Sequence, residues 1–327
     1  MKKTIKRILC IALVAALVMS FAGCAKINYI TNGTIKAINE VKSGDWKNGG
    51  AEAGAEDEGS SEDKIVIDEL TPGTYGGIEF NSLDDVAKFY KEAYDYTKSL
   101  TAEYIDDQGN TQTFYKLLGD EKMNIGAVII DGSENAIVNK LVPTIVDSLF
   151  KPNTYGLPPC YNRNPDLDHN HDDEHKKADH EFQTTEFAAE DILAANVVEN
   201  SDGTITLTIQ PKAAEMSTRG DDSQGKFFEV LGDISGVVGD IKQVSFTEGT
   251  ATDNVKVTYK GGTGVITVDP KTKEITAATY TMETEVKVNH ASIAVLKDKS
   301  ATLTISYVNT YPATDEYLKS SKGITRK

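Results

Sequence analysis

Cysteine, tryptophan, basic charge and long apolar runs are all scarce in this chain, and each shortage excludes something. Three cysteines (Cys10, Cys24 and Cys160) stand in 327 residues, so the fold is not a disulfide scaffold. Cys160 lies beside Pro158-Pro159, and the sequence shows no Cys–His signature of the kind a thiol nucleophile needs. Lys and Arg number 34 against 50 Asp and Glu, for a net charge of −16. That balance argues against nucleic acid, which rewards basic patches, and against adsorption to anionic headgroups. The longest apolar run, Ile8 to Val18, falls short of the roughly 20 residues that cross a bilayer. Enzyme signatures are missing as well: there is no G-x-S-x-G elbow, no H-E-x-x-H, no P-loop and no paired-cysteine motif. Pairs such as Asp84-Asp85 and Asp106-Asp107 are ordinary in so acidic a chain. These absences favour a non-catalytic protein and leave an unrecognised hydrolase open.

The most informative residues are the first 24. Lys2, Lys3, Lys6 and Arg7 precede the apolar run, which closes on Met19-Ser20-Phe21-Ala22-Gly23-Cys24. A basic start, a short apolar stretch and small residues before a cut site make a secretory signal over 1–23. With Cys24 directly after Ala22-Gly23, the segment resembles a bacterial lipoprotein signal. The resemblance implies that Cys24 receives a diacylglycerol, with fatty acids such as palmitate, and becomes the N-terminus after cleavage. It implies a protein anchored by lipid to the cell membrane and facing outside the cytoplasm. Without the signal's four basic residues the chain carries about −20.

Residues 24–64 are expected to form a flexible acidic tether, apart from a short helix at 34–42. Gly49-Gly50, Glu56-Asp57-Glu58 and Ser60-Ser61 are typical of 43–64, where Trp46 is the lone large apolar residue. Such a segment cannot bury enough surface to offset its ordering entropy. The folded α+β domain is expected over 65–317, with an insertion at 152–182 and a disordered tail at 318–327. Ser82 and Asp85 resemble a capping box. Val86, Tyr90, Ala93, Thr97 and Leu100 then recur at helical spacing, which predicts a helix over 83–99. Strands are expected at 101–106 and 123–130, a helix near 134–149 interrupted by Pro143, and short helices at Ala188–Ala195 and Phe227–Val238.

From Thr204 the pattern changes to period two, through Thr204 to Ile209, Val244 to Thr247, Val255 to Tyr259, Val265 to Val268, Ile275 to Val288 and Ala301 to Tyr307. This predicts an antiparallel meander with one buried face. Helices followed by such a sheet resemble, over 81–308, the lipoprotein carriers of the LolA/LppX-like family. That resemblance implies a curved sheet or half-barrel whose concavity takes acyl chains.

The sharpest polar feature is Asp166-Leu167-Asp168-His169-Asn170-His171-Asp172-Asp173-Glu174-His175, with Asp179 and His180 behind it. Four of the chain's five histidines fall there. Asp166, Asp168, His169, His171, Asp172, His175 and His180 are candidate ligands for zinc, a borderline ion that imidazole and carboxylate suit. The stretch resembles the acidic His-rich loops of some zinc-uptake lipoproteins. Asp166, Asp168, Asn170 and Asp172 also repeat the start of a calcium loop, but His171 and Lys177 stand where an EF-hand wants Gly and Glu. A solvated loop without a ligand is the third reading, and no other cofactor is implied. Three functions remain open at this point. One is a membrane-tethered, non-catalytic module binding a hydrophobic molecule, a glycan or a protein partner. The others are a metal-handling lipoprotein and an unrecognised hydrolase.

Overall fold

The computed structural model describes residues 64–134, 185–218, 220–231, 235, 244–293 and 296–327. The described fold is mostly β, with every strand pairing antiparallel and no closed barrel. After a small hairpin of β1 (Gly73–Tyr75) and β2 (Ile78–Phe80) comes α1 (Leu83–Ser99), the only long helix among the described residues. Its start is set by local chemistry. The Ser82 hydroxyl accepts from Asp85 N, while the Asp85 carboxylate accepts from Asn81 N at 2.9 Å and from Ser82 Oγ at 2.8 Å. These bonds, that of Asn81 first, hold the Asp85 carboxyl below its usual range. Thr97 joins its end to the sheet, since its hydroxyl donates to Ala93 O and accepts from Ile275 N at 2.8 Å.

The main sheet is built on a long hairpin of β13 (Ile275–Ile293) and β14 (Leu296–Tyr311). Beyond β14 lie β5 (Asp120–Ile130) and β6 (Ser133–Glu134). Beyond β13 lie β12 (Thr263–Val268), β8 (Ile205–Pro211) and β7 (Ile192–Glu199). The other half of β13 pairs with β11 (Val255–Tyr259), which carries β9 (Ala214–Glu215), and with β10 (Val244–Phe246). β11 and β12 thus follow end to end along one partner, with an extra residue between Tyr259 and Thr263. Further register shifts lie in β12/β13, β13/β14 and β14/β5. Bulges of this kind increase local twist and bend a sheet. At the β14/β5 shift the strands approach closely: a Cβ on Gly126 would stand 2.1 Å from Thr304 Oγ1, which would have to move.

The structure departs from the sequence expectations in three described places. Ala188–Ala195 is not a helix: a 3-10 turn at Ala189–Asp191 leads directly into β7. Alanine favours helix by well under 1 kcal/mol per residue, and pairing with β8 outweighs that preference. Phe227–Leu231, the start of the helix expected over Phe227–Val238, is irregular chain. Phe227, Phe228, Glu229, Val230 and Leu231 are all buried, so the stretch lacks the exposed side of an amphipathic helix. The expected C-terminal tail is ordered. Leu318–Lys322 forms a π turn, and β15 (Ile324–Arg326) pairs with β3 (Thr101–Asp106) beside β4 (Thr111–Tyr115). Leu318 and Ile324 enter a small second core with Tyr104, Leu118, Ala313 and Tyr317. Two apolar anchors in ten residues gave no periodic signal. The expected helices at 34–42 and 134–149 and the tether lie outside the described residues, except that Glu134 belongs to β6.

Candidate functional site

Alternation along the strands gives the main sheet two unlike faces. On the inner one, α1 packs onto β7 and β13, and the 222–231 segment onto β12 and β13. Phe227 lies 4.6 Å from Phe187, 5.5 Å from Tyr90 and 5.2 Å from Tyr280, ring centre to ring centre. Gly264 makes room for it, since a Cβ there would stand 2.5 Å from Phe227 Cζ. The Tyr90 and Tyr280 hydroxyls are 3.0 Å apart. Burial pushes both phenols above their usual range, so they stay neutral and act as hydrogen-bonding groups rather than as acid or base.

The same inner row continues across β14 and β5 through Asn309 and Glu121, which stand opposite each other. Asn309 Nδ2 donates to the Tyr307 hydroxyl at 3.1 Å, and the Tyr317 hydroxyl lies 3.2 Å from Glu121 Oε2. Nearer β7, the buried Asp191 carboxylate accepts from Ala188 N, Ser223 Oγ and Lys226 Nζ. Asp222 Oδ1 accepts from Ser217 Oγ at 2.7 Å and from the backbone of Gln224 and Gly225. Both carboxylates fix the turn that delivers Phe227 to the core. Among the described residues no imidazole is bonded to this Ser217–Asp222 pair.

The outer face is lined by threonine. Thr208, Val265, Thr279 and Thr310 stand in one row across four strands, and Asn196 of β7 extends it. Thr206 and Thr267 stand in the next row with hydroxyls 3.2 Å apart. At one end, Gln210 holds the incoming chain: its amide accepts from Val66 N at 2.9 Å and donates to Lys64 O at 2.8 Å.

A separate polar cluster sits near the tip of the β13–β14 hairpin. His290 Nδ1 lies 2.9 Å from Asp298 Oδ1, and His290 Nε2 lies 3.8 Å from Glu248. The Thr247 hydroxyl donates to Asp298 at 2.8 Å, and Thr247 N donates to His290 O. The Asp298 bond raises the His290 pKa, whereas Thr247 and then His290 lower that of Asp298. Sequence reading passed over His290 because it is isolated from the other histidines. The bulge that turns it toward Asp298 leaves no pattern in composition.

Cys24 and the candidate ligands Asp166, Asp168, His169, His171, Asp172, His175 and His180 lie outside the described residues. Among the described residues no group of three His, Cys, Asp or Glu side chains is placed to hold a metal ion. No described helix is long and apolar enough to cross a membrane. Comparison with known proteins returned no matching family model, no matching curated protein and no matching solved structure.

Proposed function

We propose that the protein is an extracytoplasmic lipoprotein, anchored to the cell membrane through Cys24, that carries a non-catalytic binding module. The observation that carries this reading is the succession of Lys2 to Arg7, the apolar run and Ala22-Gly23-Cys24, followed by a linker poor in large apolar residues. As a flexible coil, the 22 residues of 43–64 would have a root-mean-square span of roughly 26 Å, enough to hold the module off the headgroups. In this reading the sheet is a curved half-barrel of the LolA/LppX-like kind, and its register shifts and the Gly126–Thr304 approach support the curvature. Rings spaced 4.6–5.5 Å apart line its concave side near α1. That filling favours a glycan or protein partner over an acyl chain for this module.

The test is the anchor. Each buried methylene of an acyl chain contributes about 0.8 kcal/mol, so two chains hold stably where one is marginal. Cys24→Ser should abolish labelling by radioactive fatty acid and leave an unprocessed precursor or a released protein. Undiminished labelling of that variant would overturn the reading.

Metal handling by the 166–180 loop is a second reading, favoured by the clustering of four histidines within twelve residues. Imidazole binds metal only when neutral, so zinc affinity measured by titration should be weaker at pH 5.5 than at pH 7.5. His171→Ala with His175→Ala should remove most of that difference. Tight binding that survives the double change would put the site elsewhere.

A further inference from the structure

We infer that the threonine-lined outer face of the sheet docks a neutral polysaccharide, which deepens the reading of the protein as an envelope binding module and rests on it. Charged residues make up 26% of the chain, and the solvent side of a half-buried sheet is where they ordinarily gather. Here the outward positions of β7, β8 and β12, and of the adjoining half of the β13–β14 hairpin from Ala277 to Thr281 and from Val308 to Thr310, are Thr, Val, Ala, Asn or Gln. Charge begins at the borders of this field, with Glu283 as the next outward position of β13 and Asp120 and Lys122 of β5 opposite Thr310 and Val308. The middle of the field is open to solvent, with Val265 41% exposed and Val198 at the edge 51%, whereas Ala194 and Gln210 at one end are buried beneath the incoming chain. Depletion of charge marks the centre of a contact surface more reliably than apolarity does.

Geometry and charge choose the occupant. Side chains repeat about every 4.8 Å across the strands and about 6.8 Å along them. Thr206 and Thr267 bond each other, while Thr208, Thr279 and Thr310 each present a hydroxyl that can donate and accept, beside a methyl. A polymer of sugars presents the same alternation of hydroxyl and C–H. At −16, the chain repels an anionic polymer over several ångströms. A second copy would bring the same charge, and five strands by about 20 Å give roughly 500 Å², below the ~800 Å² per partner of a stable complex. Peptides add to sheet edges, where backbone groups are free, rather than to faces.

The experiment uses the full-length lipidated protein in detergent micelles, co-sedimented with cellulose, chitin and an insoluble α-glucan, and with cross-linked alginate as the anionic comparison. Retention is expected on at least one neutral polymer and not on alginate. Val265→Lys and Val265→Glu should each lower the bound fraction at least tenfold, because either charge must be desolvated. Thr208→Val with Thr279→Val keeps the shape but removes two hydroxyls, and should weaken binding severalfold. Four results would overturn the inference. They are no retention on any neutral polymer, unchanged binding by folded variants, opposite effects of Lys and Glu at 265, and tighter binding by the valine pair. Fatty-acid labelling at Cys24 is independent of all four, so failure here is distinguishable from failure of the anchoring proposal.

Discussion

The two faces of the β13–β14 hairpin come from the same strands and obey different rules. Tyr280, Met282, Tyr307 and Asn309 point inward and are at most 2% exposed, while Thr279, Thr281, Val308 and Thr310 alternate with them on the outside. Inward, α1 and the turn fixed by Asp222 and Asp191 determine each shape, down to a glycine at 264. Outward, any β-favouring side chain would satisfy the strand. Folding therefore constrains the outer composition far less tightly than it constrains the aromatic cluster.

The comparison breaks if the inner face tolerates truncation. Phe227→Ala should cost about 3–5 kcal/mol, measured as a fall in urea midpoint. Its ring fills the space between Phe187, Tyr90 and Tyr280. Val265→Thr on the outer face should stay within about 0.5 kcal/mol. Comparable losses at the two positions would mean that the outer face is covered and that its threonines are core.

A smaller effect sharpens the inner face. Tyr280→Phe removes one of two paired hydroxyls and strands that of Tyr90 in the core. A buried polar group left unpaired costs about 1–3 kcal/mol. Adding Tyr90→Phe should restore part of the loss, because both partners are then apolar. Equilibrium unfolding of the two single variants and the double closes the cycle. Strict additivity would show that the 3.0 Å contact contributes nothing as a pair.

How much of this was legible in the sequence follows the same division. Period two located most described strands of the hairpin and its neighbours, because a half-buried sheet writes its burial into alternate residues. Helix 83–99 was readable from Ser82, Asp85 and its apolar spacing. Where burial comes from all sides the pattern vanishes: Phe227–Leu231 looked helical, and Ile192–Glu199 gave no alternation because of its register shift opposite β8. The C-terminal strand was hidden for the opposite reason, too few apolar residues. Of the candidate site, alternation exposed the threonine rows only once the register aligned Thr208, Val265, Thr279 and Thr310. His290 and Asp298 both sit at positive φ, 50° and 52°, beside bulges that no local pattern announces.

The smallest expected effect concerns that pair. His290 is raised above its ordinary 6.5, chiefly by its bond to Asp298. What its charge contributes to stability is complete below about pH 6.5 and fades as pH rises through the raised value. Asp298 is lowered from 3.8 by Thr247 and then His290, so its contribution is complete above about pH 4 and is lost as pH falls through the lowered value. The latch between the hairpin tip and the 244–250 segment is therefore strongest between about pH 4 and 6.5. Glu248 adds to the pull on His290, while Lys299, which is bonded to Asp131, helps hold Asp298 ionised. Because the cluster is exposed, salt should screen it and the melting temperature should barely move. The sensitive measurement is the His290 ring titration by NMR, assigned by its loss in His290→Gln. It should fall above 6.5 in the native protein and drop in Asp298→Asn. An unchanged titration in that variant would show that the bond to Asp298 does not form in solution.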